Sequence, residues 1–141
     1  MAKVETRPVR PLSPHLQIFR FYINMTMSIL HRITGGINYF GFLLLATWLV
    51  AAAIGQDSFN TVNALYGSPL GLFVLFGYSW ALIHHALGGI RHFIWDTGHG
   101  FSIKMVRILS WATIVLSLAI TGLLWWYAMV TYGIVFLLGG R

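Results

Sequence analysis

The sequence predicts an all-α integral membrane protein with three transmembrane helices, at about 29–54, 65–94 and 105–130, its N-terminus cytoplasmic and its C-terminus outside. Two observations carry the fold class. The chain is 57% hydrophobic and only 9% charged, with a mean hydropathy of +0.75, whereas about a quarter of the residues in a soluble domain are charged. So few polar side chains cannot cover a water-exposed surface. The apolar residues also fall into three runs, Ile29 to Ile54, Leu65 to Ile94 and Met105 to Val130. As a helix rising about 1.5 Å per residue, each can cross the roughly 30 Å hydrocarbon layer. Residues 1–141 therefore read as one membrane-anchor domain.

The arm before the first run contains Pro8, Pro11 and Pro14. Proline fixes φ and removes a backbone donor, so residues 1–27 are expected to form an extended cytoplasmic arm. The arm lacks the apolar core and cleavage site of a secretory signal and is not the acid-free amphipath of a transit peptide. A bacterial inner membrane is therefore expected, or the mitochondrial inner membrane if the chain is eukaryotic. GQDSFNTVN, after the first run, is short and polar and is expected to be a turn; DTGHGFSIK, with two glycines, separates the second and third runs. TYGIVFLLGGR, residues 131–141, either prolongs the third helix or packs beneath it.

Net charge is +6, from nine Lys and Arg against three acids. Lys3, Arg7, Arg10, Arg20 and Arg32 precede or open the first span, the first loop has no basic residue, and Arg91, Lys104 and Arg107 flank the second. Cytoplasmic flanks accumulate such residues, which gives the orientation stated above. Topology thus accounts for the basic charge, so membrane lipids and no nucleic acid are the expected surroundings. The chain has no cysteine, which excludes disulfides, thiolate iron-sulfur ligation and covalent haem attachment. Any redox metal here must be held by histidine or arrive with a partner.

The second span ends in HHALGGIRHFIWD, residues 84–96. On a helix His85 and His92 differ by only about 20° in direction, whereas His84 points about 100° away. His85 lies roughly 15 Å inside the cytoplasmic end, near mid-membrane. An ionisable side chain at that depth is costly and marks a functional candidate. Gly88 and Gly89, at i+3 and i+4, border His85 and leave a flat recess of the kind a haem needs beside its axial imidazole. Arg91 and His92, nearer the cytoplasm, would meet the haem propionates. The alternative reading is that the glycines only admit a neighbouring helix, with His85 hydrogen-bonded across the interface. His84 is the rival ligand. A bis-histidine haem would need a second histidine at similar depth, yet the third span has none and the first only His31 at its edge. That second ligand would have to come from another chain.

SILHRITGG, residues 28–36, opens the first span. Ser28, His31, Arg32 and Gly35 share one helical face, offering a hydroxyl, an imidazole and a fixed cation at the membrane boundary. A lipid-soluble quinone needs such donors at its carbonyl oxygens and a proton supply on reduction. The plainer alternative has Arg32 snorkelling to the interface and Ser28 capping the helix.

RPLSPHLQIFRFYINMTMSILHRIT (Arg10 to Thr34) and HALGGIRHFIWDTG (His85 to Gly98) resemble the two signature segments of the large cytochrome b membrane-anchor family of succinate dehydrogenase, respiratory Complex II. Chain length and the three spans fit as well, and the SPHLQIFR variant is similar to the alphaproteobacterial and mitochondrial branch. The resemblance implies an anchor that pairs with a smaller anchor subunit and carries the iron-sulfur subunit and the flavoprotein subunit. His85 would be an axial ligand of haem b, opposed by a histidine of the small anchor. Ser28 and Arg32 would line the ubiquinone site, to which partners add a tyrosine and a tryptophan, and His31 would lie near a haem propionate. Asp96 would pair with Arg91 or a loop cation, with proton delivery to the quinone as a further role.

With no nucleotide-binding fingerprint and no cysteine ligands, the chain is expected to pass electrons within a complex rather than to oxidise succinate itself. The competing readings are the anchor of a quinol:fumarate reductase and a haem-free structural anchor. A transporter fits poorly, because no acidic residue lies inside a span.

Overall fold

A computed structural model describes residues 18–139, with side chains through Thr131. Four helices follow in order: α1 (Ile23–Ile54), α2 (Gln56–Tyr66), α3 (Pro69–Asp96) and α4 (Ile103–Gly139). The three long ones are each apolar enough to cross a membrane. They run alternately up and down, so the start of α1 and the α3–α4 turn share one end of the bundle while α2 lies at the other. α3 is central and packs against both α1 and α4.

Helix boundaries depart from expectation where polar residues continue or interrupt a helix. α1 begins at Ile23 behind an extended Tyr22 (φ −87°, ψ 148°), so residues 23–27, expected in the extended arm, are helical. INMTM contains no proline or glycine to halt the helix once it has started. The expectation for residues 1–17 lies outside the described residues. At the other end, α4 runs on to Gly139, so residues 131–139 prolong the third helix.

The expected turn over GQDSFNTVN is instead the helix α2. Gly55, at φ 145°, lies in the region that favours glycine and turns the chain between α1 and α2. Asp57 then occupies the first turn of α2, where the helix dipole favours an acid. The helix is fastened to α1 by aromatic side chains. The Trp48 Nε1–H donates to Asn63 Oδ1 at 3.0 Å, the Tyr66 hydroxyl donates to the Leu44 carbonyl at 2.9 Å, and Trp48 packs on Phe59. A short polar helix at one end of the bundle lacks the long apolar run that marks a span, and for that reason it read as a turn.

Leu65 and Tyr66, expected to open the second span, therefore close α2. α3 starts at Pro69, with the Ser68 Oγ accepting the Gly71 N–H at 3.1 Å. Serine at the cap and proline at the first position together define that start. The α3–α4 turn uses Gly98 (φ 80°) and Gly100 (φ 82°), and the Ser102 hydroxyl accepts the Met105 N–H as α4 begins.

Large apolar side chains such as Phe40, Leu43, Phe73 and Leu123 face outward, while Thr34, Gly41, Ala81, Gly88, Ser110, Thr113, Ser117 and Thr121 are buried between helices. Small and hydroxyl side chains at the interfaces with apolar ones outside are the packing logic of a helix bundle in lipid. Gly41 shows how tight the contact is, because a Cβ there would enter the Tyr78 ring. Gly41→Ala is expected to destabilise the α1–α3 contact by about 1–3 kcal/mol, read as a lower Tm of the purified assembly; an unchanged Tm would refute the close approach.

Candidate functional site

At the end where α1 starts, three histidines converge. The His31 ring stacks on His85, centroids 4.0 Å apart and planes within 5°, and lies 5.2 Å from His92. The helices approach this closely because of two glycines. A Cβ on Gly35 would come within 3.0 Å of His85 Cε1, and one on Gly88 would run into the His31 ring. The expected flat recess at both Gly88 and Gly89 is thus divided. The space over Gly88 is filled by His31, while nothing lies within 4 Å of the Gly89 position. Gly88→Ala should therefore push His31 away from His85; a tryptic or spectroscopic probe of the α1–α3 contact that matches wild type would contradict this.

Hydrogen bonding fixes the orientation of His85. Its Nδ1 lies 3.1 Å from the His31 carbonyl and 3.4 Å from the Thr34 hydroxyl, which itself donates to the Leu30 carbonyl at 2.8 Å. With acceptors on that side, the proton sits on Nδ1 and Nε2 keeps its lone pair. Among the described residues nothing hydrogen-bonds Nε2. An imidazole held through Nδ1–H to a backbone carbonyl with Nε2 open is arranged as metal-ligating histidines are.

His84 is disposed differently. It is only 1% exposed, its Nδ1 lies 3.2 Å from Ser117 Oγ on α4, and its Nε2 is buried without a partner beside Trp80. The sequence left His84 as a rival ligand; the structure encloses its Nε2 within the chain and takes it out of that position. The 100° step between successive helical residues is what separates the two.

Arg91 is 3% exposed, donates from Nη1 to Ser110 Oγ at 3.3 Å, and lies 5.0 Å from the Trp95 ring centroid. Asp96 is exposed and, among the described residues, forms no ion pair with Arg91, one of the two kinds of partner expected for it. Arg91 lies on the α4 side of α3, five residues and 140° of helical rotation from Asp96. Arg32, on the exposed face of α1, reaches back to Ser28, with Nη2 3.3 Å from its hydroxyl and Nε 3.3 Å from its carbonyl. Ser28 does not cap the helix, which already begins at Ile23.

A cleft of about 330 Å³ gathers these groups. Asn24, Ser28, His31 and Arg32 of α1 line one side, and Arg91, His92 and Trp95 of α3 the other. The candidates for the quinone and for the haem propionates thus share one polar cleft at one end of the bundle, while His85 lies deeper and Asp96 outside the lining. Asn24 and Trp95 were not singled out from sequence. The signal was present as spacing, since Asn24 lies four residues before Ser28, and Trp95 three after His92.

Residues 6–124 match the family described as the succinate dehydrogenase/fumarate reductase transmembrane subunit. The succinate dehydrogenase cytochrome b556 subunit of Rickettsia felis is 40% identical over 123 residues, covering 87% of this chain and 96% of that protein. The protein of the same name in Paracoccus denitrificans is 41% identical over 105 residues, 74% of this chain and 81% of its own. The mitochondrial succinate dehydrogenase cytochrome b560 subunit of Mus musculus is 32% identical over 125 residues, covering 85% and 72%.

Proposed function

This chain belongs to the succinate dehydrogenase/fumarate reductase transmembrane subunit family, and from that premise we propose that it is the cytochrome b anchor of a succinate:ubiquinone oxidoreductase. It provides one axial ligand of a haem b shared with a small anchor subunit, and part of the site where ubiquinone is reduced by electrons from the iron-sulfur subunit. The succinate direction follows the relatives, whose names all carry succinate dehydrogenase.

The observation that supports this reading most directly is the His85 imidazole, held through Nδ1 by the His31 carbonyl with its Nε2 unshared. When bound, the haem supplies a one-electron redox centre. The chain's own residues do the rest. His85 offers the lone pair, and Thr34 and the His31 carbonyl set the ring's orientation. Arg91, His92 and His31 present cationic or donor groups where the propionates would emerge. Arg32 and Ser28 offer donors to a quinone carbonyl at the cleft. Asp96, exposed one turn beyond His92, supplies a carboxyl at the water boundary from which protons reach the quinone.

Arg20, Lys104 and Arg107 cluster at the same end as the cleft, which supports a cytoplasmic orientation of that end, or a matrix one in a mitochondrion. The iron-sulfur and flavoprotein subunits dock there. The test is a reduced-minus-oxidised visible spectrum of the purified complex, with succinate oxidation followed by both ubiquinone and a soluble acceptor. A b-type band with ubiquinone reduction supports the reading. A complex without haem would reduce the chain to a quinone-site anchor, and one that reduces only the soluble acceptor would remove the quinone role.

A further inference from the structure

His84 and Arg91 form a second polar pair on α3, and the redox role leaves its His84 member unused. They are seven residues apart, and both face α4, where they meet Ser117 and Ser110, also seven apart and in the reverse order. Two antiparallel helices are therefore joined by two matched bonds in a single register. Each serine hydroxyl donates along its own helix, Ser117 to the Ile114 carbonyl at 2.9 Å and Ser110 to the Val106 carbonyl at 2.8 Å. Only their lone pairs remain, and these accept from His84 Nδ1–H at 3.2 Å and Arg91 Nη1–H at 3.3 Å.

The placement of His84 beside His85 gives these bonds a consequence. At one level of α3, His84 is tied to α4 and His85 to α1, the latter through the His31 carbonyl and Thr34. A rotation of α3 about its axis moves both imidazoles together. An unmade bond at His84 would leave a buried donor unsatisfied, so that rotation is opposed from the α4 side. We propose that the His84–Ser117 hydrogen bond, backed by Arg91–Ser110, sets the rotation of α3 and thereby the angle at which the His85 Nε2 meets the haem iron. His84 is a positioning residue that does not touch the haem. The proposal rests on His85 being the ligand.

The test is made on the whole complex with Ser117→Ala, which removes the acceptor and little volume, Ser117→Thr, which restores a hydroxyl, and Thr121→Ala. Thr121 is buried on the same face of α4, but its hydroxyl bonds only to the Ser117 carbonyl. Haem content, the g values of the oxidised low-spin haem and its midpoint potential are measured. The expected result is full haem content throughout, with shifted g values and a shifted potential in Ser117→Ala, wild-type values in Ser117→Thr and wild-type values in Thr121→Ala. Unchanged g values and potential in Ser117→Ala would overturn the proposal. So would an equal shift in Thr121→Ala, or a shift that Ser117→Thr does not reverse, since either would make it a packing effect. Failure of the underlying reading has a separate sign, a haem that survives unchanged in His85→Ala.

Discussion

Replacing His85 with alanine is expected to remove the b-type signal from the purified complex while succinate oxidation by a soluble acceptor stays near the wild-type rate. Loss of a mere hydrogen-bond partner of a metal ligand costs about 10–100-fold in metal affinity, and loss of the ligand itself is expected to exceed that. A neighbouring histidine often obscures such an experiment by taking over the iron. Here it cannot, because the Nε2 of His84 is enclosed between α3 and α4. His84→Leu should accordingly keep its haem. A spectrum in His85→Ala identical to wild type would place the haem on other chains and remove the central role assigned here.

The second large effect is expected at Arg32. Its guanidinium stands in the cleft, engages the Ser28 hydroxyl with one nitrogen and keeps further donors for a ligand. A hydrogen bond from a charged donor contributes about 1.5–3 kcal/mol, and each 1.36 kcal/mol is about tenfold in rate. Arg32→Ala should therefore lower ubiquinone reduction by about 10–100-fold with the soluble-acceptor rate intact. Arg32→Lys should recover part of the loss, because an ammonium keeps the charge but not the planar fork. Ser28→Ala, which removes one neutral partner worth about 1 kcal/mol, should cost about fivefold. Equal loss of both activities in Arg32→Ala would signal failed assembly and count against a quinone contact.

The three spans were legible because lipid demands long apolar runs, and nothing else in the chain imitates them. The Ser28, His31, Arg32 group and the His85, His92 pair were legible as faces, since helical spacing alone puts them in line. What escaped was everything decided by a neighbour. α2 depends on Trp48 of α1 meeting Asn63 and Phe59, and on Tyr66 reaching back to the Leu44 carbonyl, and its polar residues disguised it. Gly88 looked like room for a ligand because spacing cannot say that His31 of another helix fills it. Arg91 and Asp96 looked like partners by charge, yet Ser110 and Trp95 hold Arg91 on a different side of the helix. The choice between His84 and His85 needed to know which helix lay on which side of α3.

The atom that aims His85 is the carbonyl oxygen of residue 31, part of the main chain. Amino-acid replacement at position 31 changes the side chain stacked on His85 but leaves that oxygen in place. Orientation of the His85 imidazole is thus insulated from mutation at the residue that provides it. An allelic series at position 31 would separate the two contributions, with haem affinity and potential varying from one side chain to the next and ligation persisting in all of them.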